Sequence, residues 1–170
     1  MIYNNEKDFV DKVESLLKSC GCQTWREVSP EEHKDKLFPF RVDLIFFHKQ
    51  IGYIAVEAKN TRSLRQGSVF GKAIEQINKY KDLHFLGGIK IDKWCITAPQ
   101  EIPLITNREE ADRVLSEVSH FIRHFIKYMF NISFLEFFEY DNHVWDRIAI
   151  DGFSKNTIKI NKYGIENKNV

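Results

Sequence analysis

The chain has 170 residues, of which 43% are hydrophobic and 14% aromatic, a composition typical of a folded globular domain and not of a disordered chain. Its 25 basic and 24 acidic residues nearly cancel, so the overall charge neither requires nor excludes a polyanionic partner, and any nucleic-acid surface must be local. No apolar run is long enough to span a bilayer and residues 1–7 are too polar for a signal peptide, which predicts a cytoplasmic protein without a membrane partner.

The length is sufficient for one hydrophobic core, so we expect one domain over residues 1–170, with a core over about 1–100 and an extension over about 105–162. Three cysteines, Cys20, Cys22 and Cys95, match no four-ligand metal pattern, and their odd number argues against a disulfide framework. We expect free thiols, with Cys95 in a buried strand.

The first predicted element is an amphipathic helix that begins after Asn4 or Asn5 and ends at Gly21. Its apolar residues recur at three- and four-residue spacing: Phe9, Val10, Val13, Leu16, Leu17 and Cys20. Residues 22–28 alternate in polarity and predict the first strand. The charged segment 29–36 is expected to be a mobile or solvated loop.

Two strands joined by a short polar turn are predicted over 41–47 and 51–60, with Gly52 at the turn. Alternation in the second strand puts Glu57 and Lys59 on one face, roughly 7 Å apart. If the two strands pair, Asp43 of the first strand can point to that same face. The residues around Glu57 and Lys59 are apolar, which favours a strand buried on both sides over a solvent-exposed one. Charged residues at the end of such a strand usually have a function.

A second helix is predicted over about 69–82, after a polar segment that contains Arg62 and Arg65. Ala73, Ile74, Ile77 and Tyr80 form its apolar stripe, and Lys72, Gln76 and Lys79 face more or less outward. The pair 87–88 predicts a turn, and 93–97 predicts a short buried strand. This strand, helix, strand order implies a right-handed crossover between parallel strands.

The last third of the chain predicts a long helix over about 108–129, whose apolar side includes Phe125 and Ile126. Alternating segments at 132–138, 143–150 and 156–160 predict a β-hairpin or small meander, with turns at 141–142 and 151–152. The residues from Tyr163 onward are expected to be frayed. We interpret the aromatic strands as core or as a dimer surface, which leaves a homodimer open.

The two carboxylates and the amine of the central hairpin predict a metal-assisted hydrolytic site. Mg²⁺ or Mn²⁺ binds one or two protein carboxylates and fills its other positions with water and substrate phosphate. Asp43 and Glu57 are the candidate ligands. Lys59 is placed to orient or deprotonate the attacking water, or to stabilise charge on the phosphate.

The motif Asp43, Glu57-x-Lys59 resembles the signature of the PD-(D/E)XK nuclease superfamily, although Val42 stands where the signature has proline. Gln76 and Tyr80 look like the Gln-x-x-x-Tyr element of the RecB-type branch. The resemblance covers roughly the first hundred residues. It implies an α/β fold with a restriction-endonuclease-like core, a mixed β-sheet flanked by helices, to which the long helix and the β extension are added.

The same resemblance implies metal-dependent hydrolysis of DNA. Asp43 and Glu57 would bind the ion, Lys59 would be the catalytic amine, Gln76 would act near the catalytic centre and Tyr80 near the DNA. A helix-borne acidic residue would support the metal. Glu6 and Glu14 both qualify, since they lie two turns apart on one side of the helix, and we slightly prefer Glu6.

Each of these residues also has an ordinary structural interpretation. An Asp followed loosely by Glu-x-Lys occurs by chance, Gln76 alone is typical of an exposed helix position, and Tyr80 alone is typical of a core. The cations Arg62, Arg65, Lys72 and Lys79 are either a solvated face or phosphate contacts. The competing functions are an inactive nucleic-acid-binding or assembly module with the same fold, and a partner-binding protein. The sequence also leaves RNA open as the substrate.

Overall fold

The computed structural model describes residues 5–33, 40–59, 67–98, 124–140, 144–150, 158–161 and 163–167. The first part of the chain forms, in order, α1 (Glu6–Ser19), β1 (Gln23–Val28), a 3-10 turn (Glu31–His33), β2 (Val42–His48), β3 (Gly52–Ala58), α2 (Gly67–Tyr80) and β4 (Lys93–Thr97). The later part forms β5 (Ile132–Tyr140), β6 (Val144–Ile150), β7 (Ile158–Asn161) and β8 (Gly164–Asn167).

The strands follow one another in the sheet in chain order, from β1 to β8. β1, β2 and β3 are antiparallel neighbours, whereas β3, β4 and β5 run parallel. This mixed five-stranded sheet flanked by helices confirms the predicted α/β class. The long strand β5 also pairs with β6, and β6 pairs with β7, which forms the predicted meander. The strand β8, which the sequence did not predict, pairs with β7.

Helix α1 begins and ends where capping chemistry predicts. The Asn5 side chain accepts a hydrogen bond of 2.8 Å from the backbone N–H of Asp8, which satisfies one of the free donors of the first turn. Gly21 follows the helix with φ +78°, a conformation that costs a glycine little. The apolar stripe of α1 is buried against the sheet.

The sheet carries a hydrophobic core on each face, as the alternation in β3 predicts. Ile54, Val56 and Ala58 belong to the core on the α1 face, whereas Ala55 belongs to the core that includes the α2 stripe. All three cysteines are free, and Cys95 lies in a buried strand, as predicted; Cys20 and Cys22 are buried as well. Burial is the main cause that raises the pKa of Cys22 to about 12, so this thiol is unreactive at neutral pH.

Two predictions about loops and ends are wrong. Residues beyond Tyr163 are not frayed throughout, because β8 pairs with β7 in register. In the predicted loop over 29–36, residues 34–36 lie outside the described residues, but the described part is not a solvated loop, because Glu31 accepts a 2.8 Å hydrogen bond from the N–H of Gly87. Glu32 also lies 2.8 Å from the imidazole of His84. The 3-10 turn is therefore tied to the connection between α2 and β4.

The predicted long helix over 108–129 lies mostly outside the described residues, as do the turns at 141–142 and 151–152. Residues 124–130 are helical, and Ile126 is buried as predicted. Phe125 is 51% exposed, so its assignment to the apolar side is wrong. None of the helices in the described ranges is long and apolar enough to cross a membrane.

Candidate functional site

The register of the β2–β3 hairpin brings Asp43 beside Glu57. Leu44 pairs with Val56 and Ile45 with Ala55, so the same register, carried one residue further, sets Asp43 opposite Glu57. The Asp43 Oδ2 atom accepts a hydrogen bond of 2.7 Å from the N–H of Ala58, which fixes the carboxylate at the end of β3. Asp43 thus points toward β3 and not away from it.

Glu57 is the most buried charged side chain of this cluster, at 1% exposed. Its Oε1 atom lies 2.6 Å from Lys59 Nζ, whereas its buried Oε2 atom has no hydrogen-bond partner among the described residues. Burial, and then the nearby charge of Asp43, raise the pKa of Glu57 to about 7. An unsatisfied buried carboxylate oxygen is costly, so its presence calls for an explanation.

Lys59 completes the cluster and has its backbone anchored to the sheet, since its N–H donates to the carbonyl of Thr97 at 2.9 Å. Burial alone would lower the pKa of Lys59, but the charge and hydrogen bond of Glu57 and the charge of Asp43 raise it above its usual value. The amine is therefore an ammonium at neutral pH. For Asp43, burial is the largest cause and raises the pKa, against the Ala58 N–H and Lys59, which lower it.

The two candidate acids of α1 have different surroundings. Glu6, the first residue of the helix, lies close enough to the hairpin for its negative charge to raise the pKa values of Asp43 and Glu57. Glu14 instead accepts a 2.8 Å hydrogen bond from Thr24 and pairs with Lys18 at 2.9 Å. Of the two acids, Glu6 is the one whose charge acts on Asp43 and Glu57, whereas Glu14 belongs to a network with β1.

Gln76 and Tyr80 lie on α2, and Tyr80 is near enough to the hairpin for the charges of its carboxylates to act on it. Burial raises the pKa of Tyr80, a hydrogen bond with Gln76 lowers it, and the charges of Glu57 and Asp43 raise it further. The Tyr80 side chain is 2% exposed and lies in the core. Gln76 and Tyr80 are thus joined to each other and lie near the carboxylates.

Of the cations predicted as phosphate contacts, Lys72 and Lys79 lie within the described residues. Lys72 is exposed on α2, and its charge acts on Glu75. Lys79 also pairs with Glu75, at 2.6 Å. Arg62 and Arg65 lie outside the described residues.

Phe40 is a neighbour of the cluster that the sequence interpretation missed. Its ring centroid lies 5.8 Å from that of Tyr80. The only sequence signal is an aromatic residue three positions before Asp43, and that position alone does not reveal a contact with a helix forty residues later.

The carboxylates fit a hard cation of the Mg²⁺ type. Within the described ranges, no three His, Cys, Asp or Glu side chains meet to form a complete metal-ligand set. Mg²⁺ needs no such set, because it commonly binds through one or two carboxylates and keeps water or substrate oxygens as its other ligands. The unpartnered oxygen of Glu57, beside Asp43, is suited to that role.

Comparison with protein-family models, with curated proteins and with solved structures found no match. The interpretation of the site therefore depends on its own geometry and charge. That geometry is two buried or half-buried carboxylates, one ammonium and a tyrosine–glutamine pair at one edge of a mixed sheet.

Proposed function

We propose that this protein is a Mg²⁺- or Mn²⁺-dependent nuclease of the PD-(D/E)XK type, which hydrolyses phosphodiester bonds in DNA. The observation that carries the proposal is the buried Glu57 carboxylate, which faces Asp43, binds Lys59 through one oxygen and has a second oxygen without a described partner. A purely structural ion pair would satisfy both oxygens. A cation would satisfy the second oxygen and offset the repulsion between the two carboxylates.

Asp43 and Glu57 would hold the ion, which supplies Lewis-acid activation of the phosphate and lowers the pKa of water. The N–H of Ala58 orients the Asp43 carboxylate in advance. Such preorganisation reduces the entropy lost when a ligand binds.

The sequence leaves Lys59 three roles: to orient the attacking water, to deprotonate it, or to stabilise charge on the phosphate. Because Glu57 and Asp43 raise its pKa, the amine carries its proton at neutral pH. An ammonium donates to phosphate oxygens and stabilises the negative charge that develops in the transition state. This role is favoured over removal of a proton from water.

Gln76 and Tyr80 would hold this arrangement from the α2 side. The hydroxyl of Tyr80 takes part in a hydrogen bond with Gln76 beside the two carboxylates. Because the Tyr80 side chain is 2% exposed, we infer that the pair positions the side chains around the ion and does not contact the bound strand, with Glu6 adding negative charge from α1.

The test is cleavage of single-stranded, linear double-stranded, circular and branched DNA in Mg²⁺ or Mn²⁺. We expect Asp43→Asn and Lys59→Ala to lower the rate at least about 100-fold, the order of magnitude of losing one transition-state donor. Glu14→Gln is the matched control, because this acid lies on the same helix face as Glu6 but contacts β1.

Equal cleavage by the wild type, Asp43→Asn and Lys59→Ala would refute the proposal. The alternative is an inactive module that binds nucleic acid. It predicts salt-sensitive binding that ignores both metal and Asp43→Asn, with no turnover of any substrate.

A further inference from the structure

Phe40 is a large apolar side chain that stays 45% exposed beside the candidate site. Its ring centroid lies 5.5 Å from that of His33 and 5.8 Å from that of Tyr80, with tilted planes in both contacts. Two aromatic neighbours thus restrict the ring while nearly half of the side chain remains in solvent. A ring held in this way loses little conformational entropy when another flat group stacks on it.

The position of Phe40 separates it from the other exposed apolar residues of the described ranges. Those are Phe125, Tyr128, Met129 and Tyr163, which lie on the helical segment 124–130 and next to β8. Phe40 instead contacts Tyr80, whose pKa responds to the charges of Glu57 and Asp43. It also lies three residues before Asp43 in the chain. An exposed ring therefore contacts a residue of the candidate site and lies close in the chain to Asp43.

We propose that Phe40, supported by His33 and Tyr80, stacks against an unpaired base of the strand that is cut, so that the preferred substrate is single-stranded DNA or an unpaired end. This inference rests on the proposed nuclease function. A base within a duplex has both faces covered by its neighbours, whereas an unpaired base can offer a face to an aromatic side chain. Stacking tolerates any base, so it selects for strandedness and not for sequence.

The test is binding of fluorescein-labelled DNA, measured by anisotropy, with Ca²⁺ in place of Mg²⁺ to avoid turnover. Phe40→Ala should weaken binding of a single-stranded oligonucleotide roughly 5- to 150-fold, the range for loss of one base–aromatic stack. Its affinity for a blunt duplex should stay unchanged, and Phe40→Trp should keep the wild-type affinity for both. Phe125→Ala is the matched control, because this phenylalanine is similarly exposed elsewhere.

A scan with single abasic positions locates the stacked base. At one position, an abasic site should weaken binding by the wild type by the same factor as Phe40→Ala weakens binding of the intact strand. The Phe40→Ala variant should bind that abasic strand as well as it binds the intact strand. Equal affinity of Phe40→Ala and the wild type for single strands would overturn the inference, as would an equal loss on single strands and duplex.

Cleavage and binding together distinguish a wrong stacking inference from a wrong nuclease function. If cleavage depends on Asp43 but Phe40→Ala binds single strands normally, only the stacking inference is wrong. If the wild type neither binds nor cleaves any DNA or RNA, both are wrong. If the protein binds single-stranded RNA but not DNA, and Phe40→Ala weakens that binding by the same factor, the stacking inference holds and the choice of DNA is wrong.

Discussion

Replacing Glu57 with glutamine should remove the loss of stability that ionisation of this carboxyl causes in the metal-free protein as the pH rises. The carboxyl is 1% exposed, and burial together with Asp43 raises its pKa from the ordinary value of 4.5 to about 7. A carboxyl whose pKa is raised on folding binds its proton more tightly in the folded state. Its contribution to stability is fully present below 4.5 and is lost as the pH rises through about 7.

The difference between 4.5 and about 7 corresponds to about 3 kcal/mol of unfolding free energy, at about 1.4 kcal/mol per pKa unit. More than about 2 kcal/mol of this is lost between pH 5 and pH 8. Glutamine has nearly the same shape and does not ionise. The stability of Glu57→Gln relative to the wild type should therefore rise by about 2 to 3 kcal/mol over that range.

The assay is urea denaturation of both proteins at several pH values in EDTA, with Glu75→Gln as the control. Glu75 is an exposed acid whose pKa is lowered, first by its hydrogen bond to Lys79, so its variant should gain nothing between pH 5 and pH 8. Parallel pH curves for Glu57→Gln and the wild type would refute the reasoning. Added Mn²⁺ should raise the stability of the wild type at pH 8 and leave Glu57→Gln nearly unchanged, because a ligand stabilises the state that binds it.

Three further changes test the scaffold around the site. Gly52→Ala should lower the unfolding free energy by roughly 1 to 3 kcal/mol, because Gly52 has φ +92° and a Cβ there would overlap the Asp92 carboxylate. The control is Gly71→Ala, on an open face of α2, which should be neutral or stabilising in the same denaturation assay. Asn5→Ala should cost about 1 kcal/mol by removing the cap of α1, which thermal unfolding can measure, and an unchanged melting temperature would contradict the capping role. Tyr80→Phe removes only the hydroxyl, so it should change the unfolding free energy by less than about 1.5 kcal/mol. It should still slow DNA cleavage at least fivefold, because that hydroxyl bonds Gln76 and is affected by the charges of the carboxylates. Unchanged cleavage would show that Tyr80 has no part in the reaction.

Local sequence signals sufficed for the elements that carry the site. The N-cap at Asn5 and the period-two alternation of β3 predicted α1 and the two faces of the sheet, and both are found. The sequence allowed Asp43 to share a face with Glu57 if the two strands paired, and the observed hairpin register sets the two residues opposite each other. These features depend on residues close together in the chain.

The features that the sequence did not predict depend on contacts between distant residues. Glu6 and Glu14 occupy the same face of α1, and only the packing of α1 on the sheet distinguishes them. The 3-10 turn is held by a contact between Glu32 and His84, 52 positions apart, which no local pattern encodes. The contact of Phe40 with Tyr80 is of the same kind.

The most direct test of the central claim is a crystal structure of the protein soaked with Mn²⁺, with the ion located by its anomalous scattering. The account predicts one strong peak within coordination distance of both the Asp43 and Glu57 carboxylates, on the side of the unpartnered Glu57 oxygen, and no such peak in Asp43→Asn. A peak elsewhere, or none in a well-ordered wild-type crystal, would contradict it.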